Sequence, residues 1–443
     1  MQKHKFAILL VLASLLVFLP LAAVGQEPPP VKIGFLYPMS GAQAAVGREA
    51  MRGAQIAADM VNESGGIWNR RKIEFVIGDA HNTDAAKTET ERLCTVEKVK
   101  VILGVYASNL AFVAHPVANK YGVFFWESNA IAPRLRQMGH KYTFFFGPPA
   151  MGYGHNSAQS IVDVVCPALN VAPKDLKVAA VYQGTEWGKS STGEAFVPKA
   201  KELGMNVVLD EPYDPNTLDF TPLVQKIKLA KPDLIALQNY VDDGFRFFES
   251  AKRNGLNPKV WFSQGSVFVE VPDAQEKFGA DMNYFVATNQ VPGGNINNLA
   301  PAVQAQYRDF LNRYDQKYNQ KMASEASIVF TAAIALFEHI LPAAGSDDPD
   351  KLAKVCHEIV LPYTMTARPA GLKFSAADAE LANQNVRAST MVRQLFNGKF
   401  YAVWPKEIAE IKPMLPTPEF GKRAISEADV EKQLVVPKKF LAQ

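Results

Sequence analysis

VKVILGVYASNLAFVAHPVANKYGVFFWESNAIAPRL, from Val99 to Leu135, is the stretch of sequence that decides the fold. Two apolar runs, Val99 to Val105 and Val123 to Trp126, are each followed by small polar residues and are separated by a helical pattern. Consecutive strands joined by a helix lie parallel, so the loops that follow both strands open at one edge of the sheet. Helix N-termini at that edge present free N–H groups that favour anions. The stretch therefore predicts a parallel sheet with one wall of a binding cleft at its edge.

The alternation of strands and helices continues along the chain in two successive units. Apolar runs begin at residues 31, 73, 99 and 123, and again at 177, 206, 233 and 259. This spacing predicts an α/β fold with two similar lobes, each built on a parallel sheet covered on both faces. A further strand over 284–288, helices over 302–318, 324–341 and 349–360, and short strands between 372 and 404 are also expected. The 443 residues are enough for two cores.

Composition and charge narrow the possible partners. Hydrophobic residues make up 48% of the chain and charged residues 21%, as in an ordinary globular protein. The net charge is +3, and the first 25 residues contribute two positive charges, Lys3 and Lys5, so 3 − 2 = +1 remains without them. So small a charge gives no electrostatic reason to expect nucleic acid or an anionic membrane surface as a partner.

Both ends of the chain differ from the regular part. Residues 1–25 have the pattern of a secretory signal peptide, with an apolar run from Phe6 to Leu19 and small residues at Ala23-Val24-Gly25. The run is short for a membrane anchor, and the cleavage site has no cysteine to carry a lipid. We therefore expect cleavage and release into the periplasm. The segment 405–443 is rich in Pro and Lys and predicts a tail that wraps the fold.

Motifs for catalysis or metal binding do not fit their required spacing. GTEWGKSS, from Gly184 to Ser191, has one residue fewer between its glycines than a phosphate-binding loop requires. The histidines are scattered, no Gly-x-Ser-x-Gly elbow occurs, and Asp242-Asp243 is typical of a helix cap. Cys166 and Cys356 could pair, or they and Cys94 could be small buried side chains. We expect no enzyme activity, no cofactor and no metal.

The loops at the strand ends are better candidates for function. They combine hydroxyl, amide and aromatic side chains from both units, without a nucleophile and its base. That composition suits a pocket for a small polar or amphipathic molecule, and ligands of open α/β sheets bind at this edge. The loops are Tyr37–Gly41, Tyr106–Asn109, Ser128–Pro133, Glu186–Gly188, Tyr240–Asp243 and Gln264–Ser266.

Several segments make the chain similar to the periplasmic substrate-binding proteins of branched-chain amino acid (Leu/Ile/Val-type) ABC transporters. They are KIGFLYPMSG, AADMVNESGGIWNRRKIEF, VKVILGVYASN, ESNAIAPRL and VYQGTEWGKSSTGEAF, and the resemblance covers residues 31–404. It implies the type I periplasmic binding protein fold, in which two Rossmann-like lobes close about a three-crossing hinge. By this resemblance the N-terminal lobe holds 31–147 and 292–361, the C-terminal lobe holds 148–291 and 362–404, and 405–443 is a C-terminal tail.

The resemblance also implies which residues contact a ligand. Ser108 would bind a ligand carboxylate through its hydroxyl and amide groups, while Asn129 and Ile131 would offer backbone groups. Trp187 would form an aromatic wall of the pocket, and Tyr240 would be a cleft tyrosine. The complete expected ligand-binding set is Tyr106, Ser108, Ser128, Asn129, Ile131, Trp187, Tyr240 and Gln264.

Gln264 departs from the family pattern, because amino-acid binders keep an acidic residue there for the α-ammonium group. A neutral amide would cost an amino-acid ligand a charge-assisted bond worth about 1.5–3 kcal/mol. Glu127 or Asp242 could compensate. The ligand could instead be an aromatic or aliphatic acid without an ammonium group, or an amide.

The resemblance implies an exported solute-binding protein that acts as a monomer, closes on a small carboxylate-bearing ligand and delivers it to an ABC permease in the membrane. A sensory protein that reports ligand occupancy to a receptor would use the same fold and is the alternative.

Overall fold

Two β-sheets organise the part of the chain that the structure describes. This computed structural model describes residues 28–290, 296, 299–367, 371–438 and 441. The expected signal segment, residues 1–25, lies outside these ranges. Within them, one sheet has five strands and the other has seven.

The first sheet is parallel throughout and has the strand order β2-β1-β3-β4-β5. The stretch from Val99 to Leu135 supplies β3, the helix Ser108–Lys120 and β4, with Val101 opposite Phe124. The strands are β1 (Val31–Tyr37), β2 (Ile73–Asp79), β3 (Val101–Gly104), β4 (Phe124–Glu127) and β5 (Thr143–Phe145). The sequence pattern missed β5 because a strand of three residues that is soon followed by two prolines shows no periodicity.

The second sheet has the strand order β12-β11-β10-β9-β8-β6-β7. Its members from β6 to β10 pair in parallel, and β11 and β12 form an antiparallel hairpin at one edge. The strands are β6 (Lys177–Gln183), β7 (Asn206–Tyr213), β8 (Leu234–Gln238), β9 (Val260–Gln264), β10 (Val286–Asn289), β11 (Met391–Phe396) and β12 (Lys399–Trp404). The two α/β sheets with parallel cores that the sequence predicts are confirmed, and the second also carries an antiparallel edge.

Helices cover the faces of both sheets. The longer ones are Ala44–Glu63, Thr83–Thr95, Ser108–Lys120, Ala150–Ser160, Thr221–Ala230, Val241–Arg253, Pro301–Tyr318, Ser324–Ile334 and Pro349–Glu358. Shorter helical segments are Pro133–Arg136, Ile161–Val165, Cys166–Leu169, Glu186–Gly188, Lys189–Phe196, Val197–Glu202, Pro272–Phe278, Ala335–Ile340, Leu341–Ala344 and Glu427–Glu431.

After β10 the chain returns to the first sheet. Helix Ser324–Ile334 packs on helix Ala44–Glu63 so closely that a Cβ on Gly53 would lie 1.9 Å from the carbonyl oxygen of Ala326. By length and composition alone, Ser324–Ala344 could cross a membrane, yet 78% of its apolar window is buried inside the fold. This stretch is therefore part of the hydrophobic core.

The chain beyond β12 packs on the second sheet. The ring of Phe420 lies 6.1 Å from that of Trp261, and the amide of Gly421 donates to the Oδ1 of Asp281 at 2.7 Å. Among the described residues the three cysteines, Cys94, Cys166 and Cys356, are all free thiols.

Candidate functional site

A cavity lies where the carboxyl ends of the two sheets face each other. It encloses about 660 Å³ of empty space, including its mouth open to solvent, and is called the cleft cavity below. The loops after β3 and β4 line one side of it, and the loops after β6, β8 and β9 line the other. Six of the expected ligand-binding residues line it together: Tyr106, Ser108, Asn129, Ile131, Trp187 and Tyr240.

Ser108 brings a helix N-terminus to this cavity. The helix Ser108–Lys120 begins at this residue, and the carbonyl oxygen of Ala107 accepts from the amides of Leu110 and Ala111. The amides of Ser108 and Asn109, at the very start of the helix, precede the first of these bonds. The Ser108 Oγ accepts a bond from the amide of Ala132 at 3.2 Å, which leaves its hydroxyl hydrogen to donate. A hydroxyl donor and a helix N-terminus at one point suit a ligand carboxylate.

The loop after β4 is held by a buried carboxylate. Glu127 is 1% exposed, and its Oε1 accepts from the amides of Asn129 and Ala130, both at 2.8 Å. Its Oε2 accepts from the amide of Val105 at 3.0 Å and from the Nε2 of His115 at 2.8 Å. Because both oxygens are used inside the protein, Glu127 fixes the two loops that carry Tyr106 and Asn129. It therefore positions these loops and is not placed to pair with a ligand ammonium.

A buried guanidinium fixes the same loop from its other side. Arg136 Nη1 donates to the carbonyl oxygens of Ala130 at 3.0 Å and Ala132 at 2.9 Å, and its Nε donates to Gln384. Its Cζ lies 4.0 Å from the centroid of the Phe145 ring. Burial lowers the pKa of Arg136 to about 9, which the nearby charge of Glu127 partly opposes. Arg136 is still protonated near neutral pH and so keeps these bonds.

Aromatic rings from both sides of the cleft meet across the cavity. The rings of Trp187 and Tyr240 lie 4.7 Å apart, and those of Tyr106 and Tyr240 lie 5.9 Å apart. Gly188 brings the helix behind Trp187 close to β6, because a Cβ there would lie 1.9 Å from the carbonyl oxygen of Gln183. Burial raises the pKa of both Tyr106 and Tyr240, so both hydroxyls stay protonated.

Two residues of the expected set do not line the cavity. Ser128 is fully buried, and its Oγ shares a hydrogen bond of 2.5 Å with the hydroxyl of Tyr37. Gln264 is also fully buried; its Oε1 accepts from Thr192 Oγ1 and its Nε2 donates to the carbonyl oxygen of Ser191 at 3.3 Å. Both side chains lie in the protein behind the cavity wall.

Asp242 is also not placed to compensate for the missing acid. It is exposed in the first turn of helix Val241–Arg253, whereas its neighbour Asp243 is buried. The Oδ2 of Asp243 accepts from the hydroxyl of Tyr213 at 2.5 Å and from the Nε2 of Gln183 at 2.9 Å. Burial raises the pKa of Asp243, although these donors oppose the rise.

The structure adds lining residues that sequence reasoning missed. Glu325 lines the cavity from the start of helix Ser324–Ile334, and its Oε1 accepts from the Nδ2 of Asn129. Gln290, just after β10, donates from its Nε2 to the Oδ1 of Asn129 at 2.6 Å. The other lining residues outside the expected set are Val46, Tyr153, Gly265, Val267, Glu270, Val271, Asn289, Ala323, Ser324 and Ile328. Gly265 belongs to the loop Gln264–Ser266 that the sequence had marked, and Val267 directly follows that loop. Asn289 is the last residue of β10, and the tertiary fold brings the others here.

The charged residues that line the cavity are acids. Glu270 and Glu325 line it, and no Lys, Arg or His is among its described lining residues. Glu270 is bound by Arg393, whose Nη2 lies 2.7 and 2.8 Å from its two oxygens. The described ranges contain no group of three or more His, Cys, Asp or Glu that could hold a metal ion. The arrangement offers hydrogen-bond donors at Ser108, an aromatic wall and a carboxylate at Glu325.

Two α/β sheets with parallel cores face each other across a cavity that both apolar and polar side chains line. This arrangement defines a two-lobed ligand-binding protein. The chain belongs to the periplasmic binding protein family, whose model matches residues 30–394. It is 30% identical over 414 residues to the Leu/Ile/Val-binding protein homolog 8 of Brucella suis biovar 1, which covers 91% of this chain and 98% of that protein. The resemblance to Leu/Ile/Val-type substrate-binding proteins is thereby confirmed.

Solved structures show the same fold. The branched-chain amino acid transporter substrate-binding protein LivJ from Streptococcus pneumoniae, in complex with isoleucine, matches with a TM-score of 0.68 and 22% identity, over 85% of this chain and 100% of that one. A solute-binding protein of an R. palustris ABC transporter, in complex with benzoate, matches with a TM-score of 0.69 and 19% identity, over 90% of this chain and 98% of that one. The type I periplasmic binding protein fold is therefore confirmed.

Proposed function

We propose that this chain is an exported solute-binding protein that captures a small carboxylate-bearing molecule between its two lobes and delivers it to an ABC permease. The observation that carries the proposal is the cleft cavity, where Ser108 at a helix N-terminus faces the same space as the Trp187 and Tyr240 wall. The family membership and the transporter relatives support the delivery step. In this proposal the protein does not change its ligand chemically. It acts in the periplasm after the signal peptide is cleaved.

The ligand we propose is a zwitterion, with an ammonium group as well as the carboxylate. Two supporting features are the Glu325 carboxylate in the cavity wall and the lack of a cation among the described lining residues. A carboxylate alone would enter a cavity of negative charge, whereas an ammonium group near Glu325 would gain a charge-assisted bond. Glu325 thus supplies the acid that Gln264 does not. Among the structural neighbours, one holds a zwitterion, isoleucine, and another holds a carboxylate without an ammonium group, benzoate.

Closure of the lobes is the proposed mechanism. We assign 31–147 and 292–361 to the N-terminal lobe and 148–291 and 362–404 to the C-terminal lobe, because the first sheet ends at Phe145 and the second begins at Lys177. A ligand that contacts both sides stabilises the closed arrangement, which the permease then recognises. The protein is proposed to act as a monomer.

A ligand panel tests the proposal. Isothermal titration of the mature protein with leucine, 4-methylpentanoate, isopentylamine and benzoate separates the two charges of the ligand. We expect leucine to bind and the three molecules that lack one charge to bind at least about tenfold more weakly, since each loses a charge-assisted hydrogen bond. Benzoate binding more tightly than any amino acid would contradict the zwitterion assignment.

Delivery is tested in cells. We expect a strain that lacks the protein to lose uptake of the bound molecule, and the wild-type chain to restore it. Uptake that is unchanged in that strain would contradict the transport role.

A further inference from the structure

A second cavity, called the side cavity here, lies beside the cleft cavity. It occupies the space between helix Pro301–Tyr318 and the β11–β12 hairpin and encloses about 1830 Å³ of empty space, including its open mouth. Glu270, Val271 and Ser324 line both cavities and therefore form the wall between them. One side of the side cavity belongs to helices packed on the first sheet, and the other belongs to the second sheet.

The two cavities differ in charge. The cations that line the side cavity are Arg308, Lys321, Arg393, Lys399 and Lys438, and the acids are Glu270 and Asp315. Arg393 pairs with Glu270, and Lys438 pairs with Glu431, which does not line the cavity. The balance of the other lining charges, Arg308, Lys321, Lys399 and Asp315, is positive. The cleft cavity, in contrast, has acids and no cation among its described lining residues. The charged lining residues of the two cavities therefore favour ligands of different net charge.

Arg393 has a donor that the protein does not use. The side chain is 6% exposed, and its Nε is buried without a hydrogen-bond partner among the described residues. Its Nη2 binds Glu270, its Nη1 reaches Ser324 Oγ at 3.5 Å, and its Cζ lies 4.1 Å from the centroid of the Phe400 ring. Buried donors are normally satisfied, so this one indicates a missing acceptor.

Apolar side chains line the same space. Leu311 lies on the helix side, Met322 follows that helix, and Phe400 lies on the hairpin. Lys321 and Lys399 are exposed at the cavity and border these apolar surfaces. A wall that is apolar inside and cationic at its border is complementary to an amphipathic anion.

We propose that the side cavity is a second binding site, for an amphipathic organic anion with an apolar body and one acidic group. The body lies on Leu311, Met322 and Phe400, and the acidic group accepts from Arg393 and from Lys321 or Lys399. Because the cavity is shared by elements of both sheets, its occupant bridges them. This site does not depend on the identity of the ligand in the cleft cavity.

Calorimetric titration with decanoate tests the proposal, with decanol as the uncharged counterpart. Arg393→Gln would leave Glu270 buried without its partner, so the test uses the exposed pair Lys321→Gln/Lys399→Gln. We expect one decanoate per chain in the wild type. The affinity should be about fivefold or more lower in the double variant, because the acidic group then has neither lysine to pair with. The control is Lys100→Gln, which changes an exposed lysine just before β3 that does not line the side cavity. This control should leave the affinity for decanoate unchanged.

Three results would overturn the proposal. The first is decanoate affinity that is equal in the wild type and the double variant. The second is decanol binding as tightly as decanoate. The third is decanoate binding that Trp187→Ala abolishes while the double lysine variant does not, because that result would place decanoate in the cleft cavity.

Discussion

At the scale of single residues, the cleft cavity depends on a few polar groups in its wall. Ser108 presents a hydroxyl at a helix start, and Glu325 presents a carboxylate. Ser128 and Gln264 look equivalent in the sequence but are used inside the protein. Ser108 and Glu325 differ from Ser128 and Gln264 in the direction of their side chains, and the spacing of residues in the sequence does not predict that direction.

Replacement of Ser108 tests the carboxylate contact. We expect Ser108→Ala to lower ligand affinity by about tenfold or more, because a hydrogen bond to a charged group is worth about 1.5–3 kcal/mol. The free energy of unfolding should fall by no more than about 1–3 kcal/mol, since the substitution removes the Oγ that accepts from the buried amide of Ala132. Titration calorimetry and denaturant unfolding measure the two effects. Ser160→Ala, a buried serine that does not line the cavity, is the control, and equal affinities of the two variants would refute the contact.

Replacement of Glu325 tests the ammonium contact. Glu325→Gln keeps an acceptor for Asn129 but removes the negative charge. We expect the affinity for leucine to fall and that for 4-methylpentanoate to rise, so that their ratio changes by about tenfold. Glu338→Gln, an exposed change farther along the same helical stretch, should not alter the ratio. A ratio that also stays constant in Glu325→Gln would remove Glu325 from ligand recognition.

Gln264→Glu tests whether this position contributes to stability and not to specificity. The substitution places a second acceptor opposite the carbonyl oxygen of Ser191 and buries a carboxylate. We expect the free energy of unfolding to fall by about 1–3 kcal/mol or more, with no gain in affinity for ammonium-bearing ligands. Chemical denaturation measures the loss, and the exposed Gln225→Glu is the control. A stable variant that binds leucine more tightly would restore the sequence-based assignment.

At the scale of elements, the cavity depends on two loops that are tied to each other. Glu127 joins the loop after β3 to the loop after β4, and Arg136 holds the carbonyl groups of the second loop. These two buried side chains explain why loops without regular structure keep Tyr106 and Asn129 in place.

Glu127→Gln tests this role. An amide can accept on one side only, so its NH₂ group would face backbone N–H donors that now point at a carboxylate. We expect slower ligand binding or about tenfold weaker affinity, together with faster amide exchange of residues 128–132. Hydrogen exchange followed by mass spectrometry distinguishes faster exchange confined to residues 128–132 from global unfolding. Titration calorimetry measures the affinity for the ligand. Exchange in 128–132 that matches the wild type would contradict the positioning role.

The elements themselves were largely predictable. Strands with continuous apolar runs, such as Val99 to Val105, and helices with a clear apolar face are determined locally, so their order and the parallel sheets follow from the sequence. β5 was missed because three residues carry too little pattern. Glu325 was missed because it reaches the cavity only after the chain returns from the second sheet to the first, and no local signal marks that contact. Gln290 directly follows β10, at the end of a strand that the sequence predicted without marking the residues after it as a candidate site.

At the scale of the whole molecule, two sheets hold one cavity between their carboxyl ends. Contacts already cross this cleft: Tyr106 meets Tyr240, and the guanidinium of Arg134 lies 3.6 Å from the carboxylate of Glu186 at the rim. The rim pair is partly exposed, so it is worth no more than about 1 kcal/mol. Inside the cleft, Gln290 at the end of β10 donates to Asn129 in the loop after β4 at 2.6 Å. The proposed function rests on what occupies the cleft cavity.

Mass spectrometry of the molecule released from the protein isolated from its own cells tests this central claim most directly. The account predicts one small molecule with a carboxylate and an ammonium group, close to one per chain, and a much lower occupancy in Ser108→Ala than in Ser160→Ala. Equal occupancy in these two variants, or a bound molecule without a carboxylate, would contradict it.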